Sequence, residues 1–402
     1  MPLPLPLPCS PCATVIEQAP PLPPPARLPV EKKLPLAAFL LCCIVSIGAG
    51  VGVQARTLLV DQRPAARAEY RTLAAAAAAA QPGDTIKIAP GSGPYREILY
   101  TRTSGSPGAP ITIDGSGELL TGADPLAPFV RNGDSWTCDL TPHHTTAQPV
   151  QGFTQNKNKN KTDGRWTSKL TPAPIPFVLI YRGERLRQDR ITGQLTRHAT
   201  LSADQNTLTL HPGASPDGWE ISVRPHVVRT TGATSYHIYR YIRAAGSLND
   251  GFNMHGGGRN LVFEDIEAFN NLDEGFSAHD TVNCTLTRAR LHDNDNGLTN
   301  ANHSTMRAVD IVCHDNLGFG FYLQGATADV DNLDSARNGV AQLVLHAGAT
   351  LRSGRVTLTP GDWRDKPWIS AQESGQNVRA TAINKSSQFT LTGPEPLVLP
   401  AP

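Results

Sequence analysis

Four asparagines, Asn271, Asn294, Asn316 and Asn338, recur at intervals of 23, 22 and 22 residues. Fixed positions before each of them are mostly small or apolar. Ten residues before stand Leu261, Cys284, Met306 and Ala328, and eight before stand Phe263, Leu286, Ala308 and Val330. Five before stand Ile266, Ala289, Ile311 and Leu333, and three before stand Ala268, Leu291, Cys313 and Ser335. Residues two apart on a strand share a face, so each unit carries two inward-facing pairs on two short strands joined by a bend. A third strand per unit is marked by Phe252, Phe276, Leu298, Phe321 and Leu343, spaced by 24, 22, 23 and 22. Two residues on, Met254, Ala278, Asn300, Leu323 and Leu345 share its parity, with Asn300 the one polar member. Three short strands per turn of about 22 residues, with no helix, describe a parallel β-helix. Leucine-rich repeats share the period, but their L-x-x-L-x-L-x-x-N pattern is missing. The expected fold is therefore all-β: a single parallel solenoid, with the asparagines stacked in a ladder at one turn and Cys284 and Cys313 buried as small apolar groups.

The chain has 402 residues and a net charge of +1, which gives no reason to expect nucleic acid as a partner. Its 35 glycines and 34 prolines suit turn-rich β structure. Residues 1–29 are a proline-rich extension that cannot pack as a helix or inner strand, and translation from near Val30 would leave them out. A basic patch, the apolar run 34–53 and the small-x-small site Val53-Gln54-Ala55 make residues 30–55 a signal peptide, with the mature chain starting near Arg56. The rival reading of the run is an N-terminal membrane anchor; its glycine-rich end favours cleavage, leaving no stable membrane insertion. The expected location is secreted, periplasmic or at the cell surface of a bacterium. The three cysteines beyond residue 55, Cys138, Cys284 and Cys313, are too few and too scattered for a disulfide framework.

Residues 70–80 read as a short alanine-rich helix stopped by Gln81-Pro-Gly-Asp84, and the strands Thr85-Ile-Lys-Ile-Ala89 and Ile111-Thr-Ile113 follow. This order resembles the N-terminal cap and first coils of secreted right-handed parallel β-helices of the pectate-lyase-like superfamily. Such a helix would cover the open apolar end of the solenoid. Residues 56–140 are thus expected to be the cap and first coils. Residues 141–226 are an insertion with irregular strands, beginning with the polar stretch 141–175, and form either a side lobe or distorted coils. Residues 227–402 are the regular coils and C-terminal cap.

One motif is said twice. Asp250-Gly-Phe-x-x-His255 returns 24 residues later as Glu274-Gly-Phe-x-x-His279. If Phe252 and Met254 point inward, Asn253 and His255 point outward, and Ser277, His279, Thr299 and Tyr322 join them in one polar stripe. Asp250, Asp273, Glu274, Asp293 and Asp295 crowd the turns before it, and Gly256-Gly-Gly258 leaves its edge open. Such a stripe suits a carbohydrate cleft. Polar exteriors and turn-capping acids are also ordinary features of a solenoid. Two outward histidines add little to stability, however, and imidazole is a ready base near neutral pH.

The same stretch is similar to family-nine pectate lyases, which carry D-G-F-x-x-K with lysine as the base, then N-S-D-D-G about a coil later. Here stand Asp250-Gly-Phe-Asn-Met-His255 and Asn271-Leu-Asp-Glu-Gly275, so His255 takes the place of the lysine, and residues 220–360 contain no lysine at all. That family's calcium-binding aspartates, one to two coils earlier, have no counterpart beyond Asp217. The exact activity of that family is therefore not implied. The expected function is a polysaccharide lyase acting on a uronate-containing glycan, a chemistry that needs a base and a neutralising cation, with His255 of the stripe as base and His279 assisting. Arg259, Arg288, or Ca²⁺ held by Asp250, Asp273 and Glu274, would supply the positive charge, and Asn253, Ser277, Thr299 and Tyr322 would line the substrate. Two alternatives stay open. Asp250 and Glu274, one coil apart, match the ~5–5.5 Å carboxyl separation of a retaining glycosidase. A non-catalytic glycan-binding or cell-surface solenoid would instead use Trp136, Trp166 and Trp219. A zinc site from His255 and His279 lacks a third ligand at fixed spacing. A monomer is expected.

Overall fold

Phe252, Phe276, Leu298, Phe321 and Leu343 stand in one column, each paired with the next coil and each fully buried. They belong to a parallel sheet of eight strands: Leu99–Tyr100, Val228–Thr230, Phe252–Met254, Glu274–Ala278, Asn296–Ala301, Phe319–Gln324, Ala341–His346 and Arg379–Ile383. A second parallel sheet runs from Thr57–Val60 to Gln388–Leu391 and includes Leu261–Phe269, Asn283–His292 and Thr305–His314. The chain alternates between the two sheets, so this computed structural model is a parallel β-helix. It describes residues 54–146, 175–189, 192–361 and 379–392. The proline-rich extension, the signal peptide apart from its last two residues, most of the polar stretch 141–175, and Trp166 lie outside the described residues. Among the described residues no helix is long and apolar enough to cross a membrane.

The two inward pairs of each unit lie on one long strand that bends. Asp265, Arg288 and Asp310 sit at the bend with φ of 52°, 56° and 56°. One left-handed residue resets the alternation, which lets Phe263 and Ile266, three apart, both face the core at 0% and 2% exposure. In the next coil the bend separates the strands Thr327–Val330 and Leu333–Ala336, with Asn332 at φ 62°. Asparagine and aspartate tolerate this conformation best, and they supply three of the four bends. Inside, Asn300 is fully buried and satisfied, donating to the Thr327 carbonyl and accepting from Ser304 Oγ.

The N-terminal helix is Leu73–Ala79, capped by Thr72 and by Glu97, whose carboxylate accepts from the Leu73 and Ala74 amides. Leu73, Ala76 and Ala77 join the solenoid core, so the helix covers its first coils.

Between Leu119–Thr121 and Val228–Thr230 the chain leaves the coil. It builds two four-stranded antiparallel sheets around a separate core that includes Leu126, Cys138, Leu208, Trp219 and Ile221. The insertion is therefore a side lobe. It takes in residues 123–140 as well, which the sequence reading placed in the first coils. Ala123–Pro125 pairs with Trp219–Ser222, and Val130–Asn132 forms a hairpin with Ser135–Asp139 through Gly133, φ 60°. The coil then resumes in register: Arg243–Ala245 pairs directly with Leu119–Thr121, and His237–Arg240 with Ile111–Asp114.

Candidate active site

The two glycines of the repeated motif have a structural cause. A Cβ on Gly251 would lie 2.8 Å from Asn271 Nδ2, and one on Gly275 would lie 2.7 Å from Asn294 Nδ2. The asparagine ladder occupies the space a side chain would need, so the ladder demands glycine and the core demands phenylalanine. The acid and the histidine of each copy are left to be explained.

The acids gather at the turns entering the first sheet. Asp250, Asp273 and Glu274 are buried, and one carboxylate oxygen of each lies within 4.8 Å of the others. Asp250 Oδ2 accepts from Asn253 Nδ2 and from Ser277 Oγ, both at 2.6 Å, and Oδ1 accepts from the Glu274 amide at 3.2 Å. The Asn249 amide, oriented to suit its neighbours, donates to Asp250 Oδ1 and Asp273 Oδ2. Burial, and then the neighbouring Asp273, raise the Asp250 carboxyl above its ordinary range.

This corrects the expected stripe. Asn253, Ser277 and Thr299 have the outward parity foreseen, but they are 4%, 0% and 1% exposed. Their polar atoms serve the acids of adjacent turns; Thr299 Oγ1 donates to Glu274 Oε1. Tyr322 is 5% exposed, packs with Phe319, Ala341 and Val344, and donates to Gln324 Oε1. These four residues form a buried seam and offer little to a solvent-borne glycan.

His255 and His279 do reach the surface. Their rings stack at 4.4 Å with an 11° interplanar angle, and the His255 side chain is 40% exposed. Asp280 Oδ2 lies 3.4 Å from His255 Nδ1 and is itself held by the Gly256 amide. Gly256 has φ 96°, and a Cβ there would sit 2.4 Å from the Gly232 carbonyl, so this turn also requires glycine. Burial lowers the His255 pKa, against the pull of Asp280 and with help from Arg229. A second stacked pair, His292 and His314, lies on the other sheet. There Asp293 and Glu267 hold His292 and Asp315 holds His314, which reads as structural.

Neither expected arginine is part of the seam. Arg288 stands at the bend of the other sheet, and its guanidinium is taken up by Asp265 at 2.6 and 2.7 Å. Arg259 is exposed in the turn after His255, where its amide donates to Ser235 Oγ. The cation in the outward column is Arg229, paired in register with Asn253 and with Tyr100. Counting one 24-residue unit back from Asn253 would have found it. Trp219, one expected sugar platform, is 2% exposed in the lobe core. Trp136 is half-buried and packs on the same core.

No family model matches this chain, and no curated protein matches it in sequence. Three solved structures are similar. A pectate lyase, Pel9A, has a TM-score of 0.45 and 12% identity, covering 85% of this chain and 82% of its own. XylC in complex with xylose has a TM-score of 0.42 and 13% identity, covering 76% and 69%. A glycoside hydrolase has a TM-score of 0.32 and 9% identity, covering 85% and 97%. At these identities the chemistry rests on the side chains of this chain.

Proposed function

We propose that this protein is an exported polysaccharide lyase that cleaves a uronate-containing glycan by β-elimination, with His255 as the base. The observation that carries the reading is the solvent-reaching His255–His279 stack, with Asp280 against His255 Nδ1 and the His255 pKa held down. A proton on Nδ1 suits the Asp280 carboxylate and leaves the Nε2 lone pair to accept another. Nε2 removes the proton on the carbon next to the uronate carboxylate. The freed electron pair forms a carbon–carbon double bond as the bond to the glycosidic oxygen breaks, and that oxygen takes a proton from His279 or water. No oxidant or reductant is needed.

Asp250, Asp273 and Glu274 fit a hard cation: they are all-oxygen donors, crowded and buried, and Asn253, Ser277 and the Glu274 backbone amide donate to Asp250 without bringing a positive charge. They would hold Ca²⁺, which when bound supplies positive charge that relieves their repulsion. The same burial weakens the glycosidase alternative. Asp250 and Glu274 are 1% and 2% exposed, so a glycan has no route to flank them as an acid–nucleophile pair must.

The test is a panel of pectate, alginate, hyaluronan and neutral polysaccharides, read by absorbance of an unsaturated uronide and by reducing ends. A lyase raises both on a uronate polymer. Reducing ends without the absorbance mean hydrolysis and overturn the proposal, as does the absence of any cleavage. Chelation should lower thermal stability, and added Ca²⁺ should restore it.

A further inference from the structure

We infer that Arg229, with Arg102 and His226, forms a subsite for the carboxylate of a uronate ring, one coil before His255; this rests on the uronide-lyase reading. Arg229 follows Tyr100 and precedes Asn253 in the outward column. Its guanidinium carbon lies 4.9 Å from the centre of the Tyr100 ring, and that of Arg102 lies 4.5 Å from the same ring. The ring is fixed in turn by the Tyr100 hydroxyl, 2.6 Å from Thr231 Oγ1. Two guanidiniums are thus held on one aromatic ring, and among the described residues neither has a carboxylate partner. Arg229 Nε is buried with no hydrogen-bond partner, and so is His226 Nδ1.

Such an arrangement is costly by itself. Like charges crowd together, and two buried polar atoms go unsatisfied. An anion would remove both penalties. Burial, with Arg229 and His255 adding to it, holds the His226 pKa down to about 3, so near neutral pH this histidine is uncharged and can donate from Nδ1. The planar fork of arginine matches a carboxylate, with two parallel bonds. The position suits the chemistry as well. One coil and two residues along the strand separate Arg229 from His255, about 8 Å between backbones from the spacings of a sheet. One sugar ring can therefore touch both side chains. With the acid cluster buried, the carboxylate next to the abstracted proton is met by Arg229.

The experiment is affinity electrophoresis of the full mature chain through gels carrying pectate, alginate, hyaluronan, carboxyl-reduced pectate or a sulfated galactan. A His255→Ala background prevents turnover during the run. We expect retardation by at least one uronate polymer and none by carboxyl-reduced pectate. Arg229→Gln should weaken retention about 10-fold to 100-fold, Arg102→Gln should weaken it less, and Arg229→Lys should restore part of it. Thermal melting checks that the variants fold. Three results overturn the subsite: no retention by any uronate polymer, unchanged retention in folded Arg229→Gln, or equal retention by the carboxyl-reduced or sulfated polymer. The lyase reading fails separately. If retention depends on Arg229 while the wild type yields no unsaturated product, the subsite stands and the base assignment falls.

Discussion

Glu274, Gly275 and Phe276 are consecutive, and three different forces select them. Phenylalanine fills the core column, glycine clears the ladder amide of Asn294, and the glutamate belongs to the buried acid cluster. His279, three residues on, answers to none of these, which is why it and His255 carry the functional argument. His255→Ala should lower turnover by ~10²–10⁴, the usual worth of a general base, with an unchanged melting temperature. His255→Lys should retain more activity than the alanine variant, because it keeps a proton acceptor in place. The base works only when unprotonated, so kcat/KM should fall as pH drops through the His255 pKa. Burial holds that value down, so the acid limb should have its midpoint below the ~6.5 of an ordinary histidine. A midpoint above 6.5 would contradict the assignment. Residue identity alone showed which side chains were candidates. It did not show that Asn253, Ser277 and Thr299 turn their polar atoms to carboxylates of neighbouring turns.

At the scale of elements, the asparagine ladder ties the coils together. Asn271 donates from its amide and its Nδ2 to Asn294 Oδ1, Asn294 likewise to Asn316, and Asn316 likewise to Asn338. The ends are closed by different residues. Ser247 donates to Asn271 Oδ1 from one coil before. At the other end Gln342 follows the column of motif glycines, and its side chain both accepts from Asn338 and donates back to it. Asn294→Ala would strand the Asn271 amide and the Ala268 carbonyl, and should cost roughly 2–5 kcal/mol in urea unfolding. Phe276→Ala should cost roughly 3–5 kcal/mol, since it empties a fully buried site between Phe252 and Phe263. Both losses should appear as lower urea midpoints. The ladder and the core column were readable in the sequence because each is a single residue type at a constant interval. The closing Ser247 and Gln342 were not, because a different side chain does the same job there.

For the whole molecule, the question is how a lobe inserted between coils is held. The buried Arg185 donates to the carbonyls of Asn271 and Asp293. Arg187 reaches Asp293 Oδ1 and the Asp315 carbonyl, and Asn270 Nδ2 returns a bond to the Gly183 carbonyl. Burial brings the Arg185 pKa down to about 10, so it stays charged near neutral pH. Arg185→Ala should weaken docking by roughly 1–3 kcal/mol, from the two carbonyls left without a donor. Hydrogen exchange should then quicken in Leu179–Tyr181 and Trp219–Ser222 and stay slow in Phe252–Met254. Equal protection in the variant would show that the lobe is held by its apolar contacts instead. The coil itself followed from spacing and alternation, which are local properties of a chain: a residue two positions on returns to the same face, and a unit of 22–24 residues returns to the same column. The lobe did not follow, because Ala123–Pro125 and Trp219–Ser222 pair across a long stretch of chain that carries no period. Nor did the exposure of the outward side chains, or the seating of Arg229 and Arg102 on one tyrosine ring. Those depend on which coils lie above and below a residue and on how far neighbouring acids reach, and only the stacked structure brings such groups together.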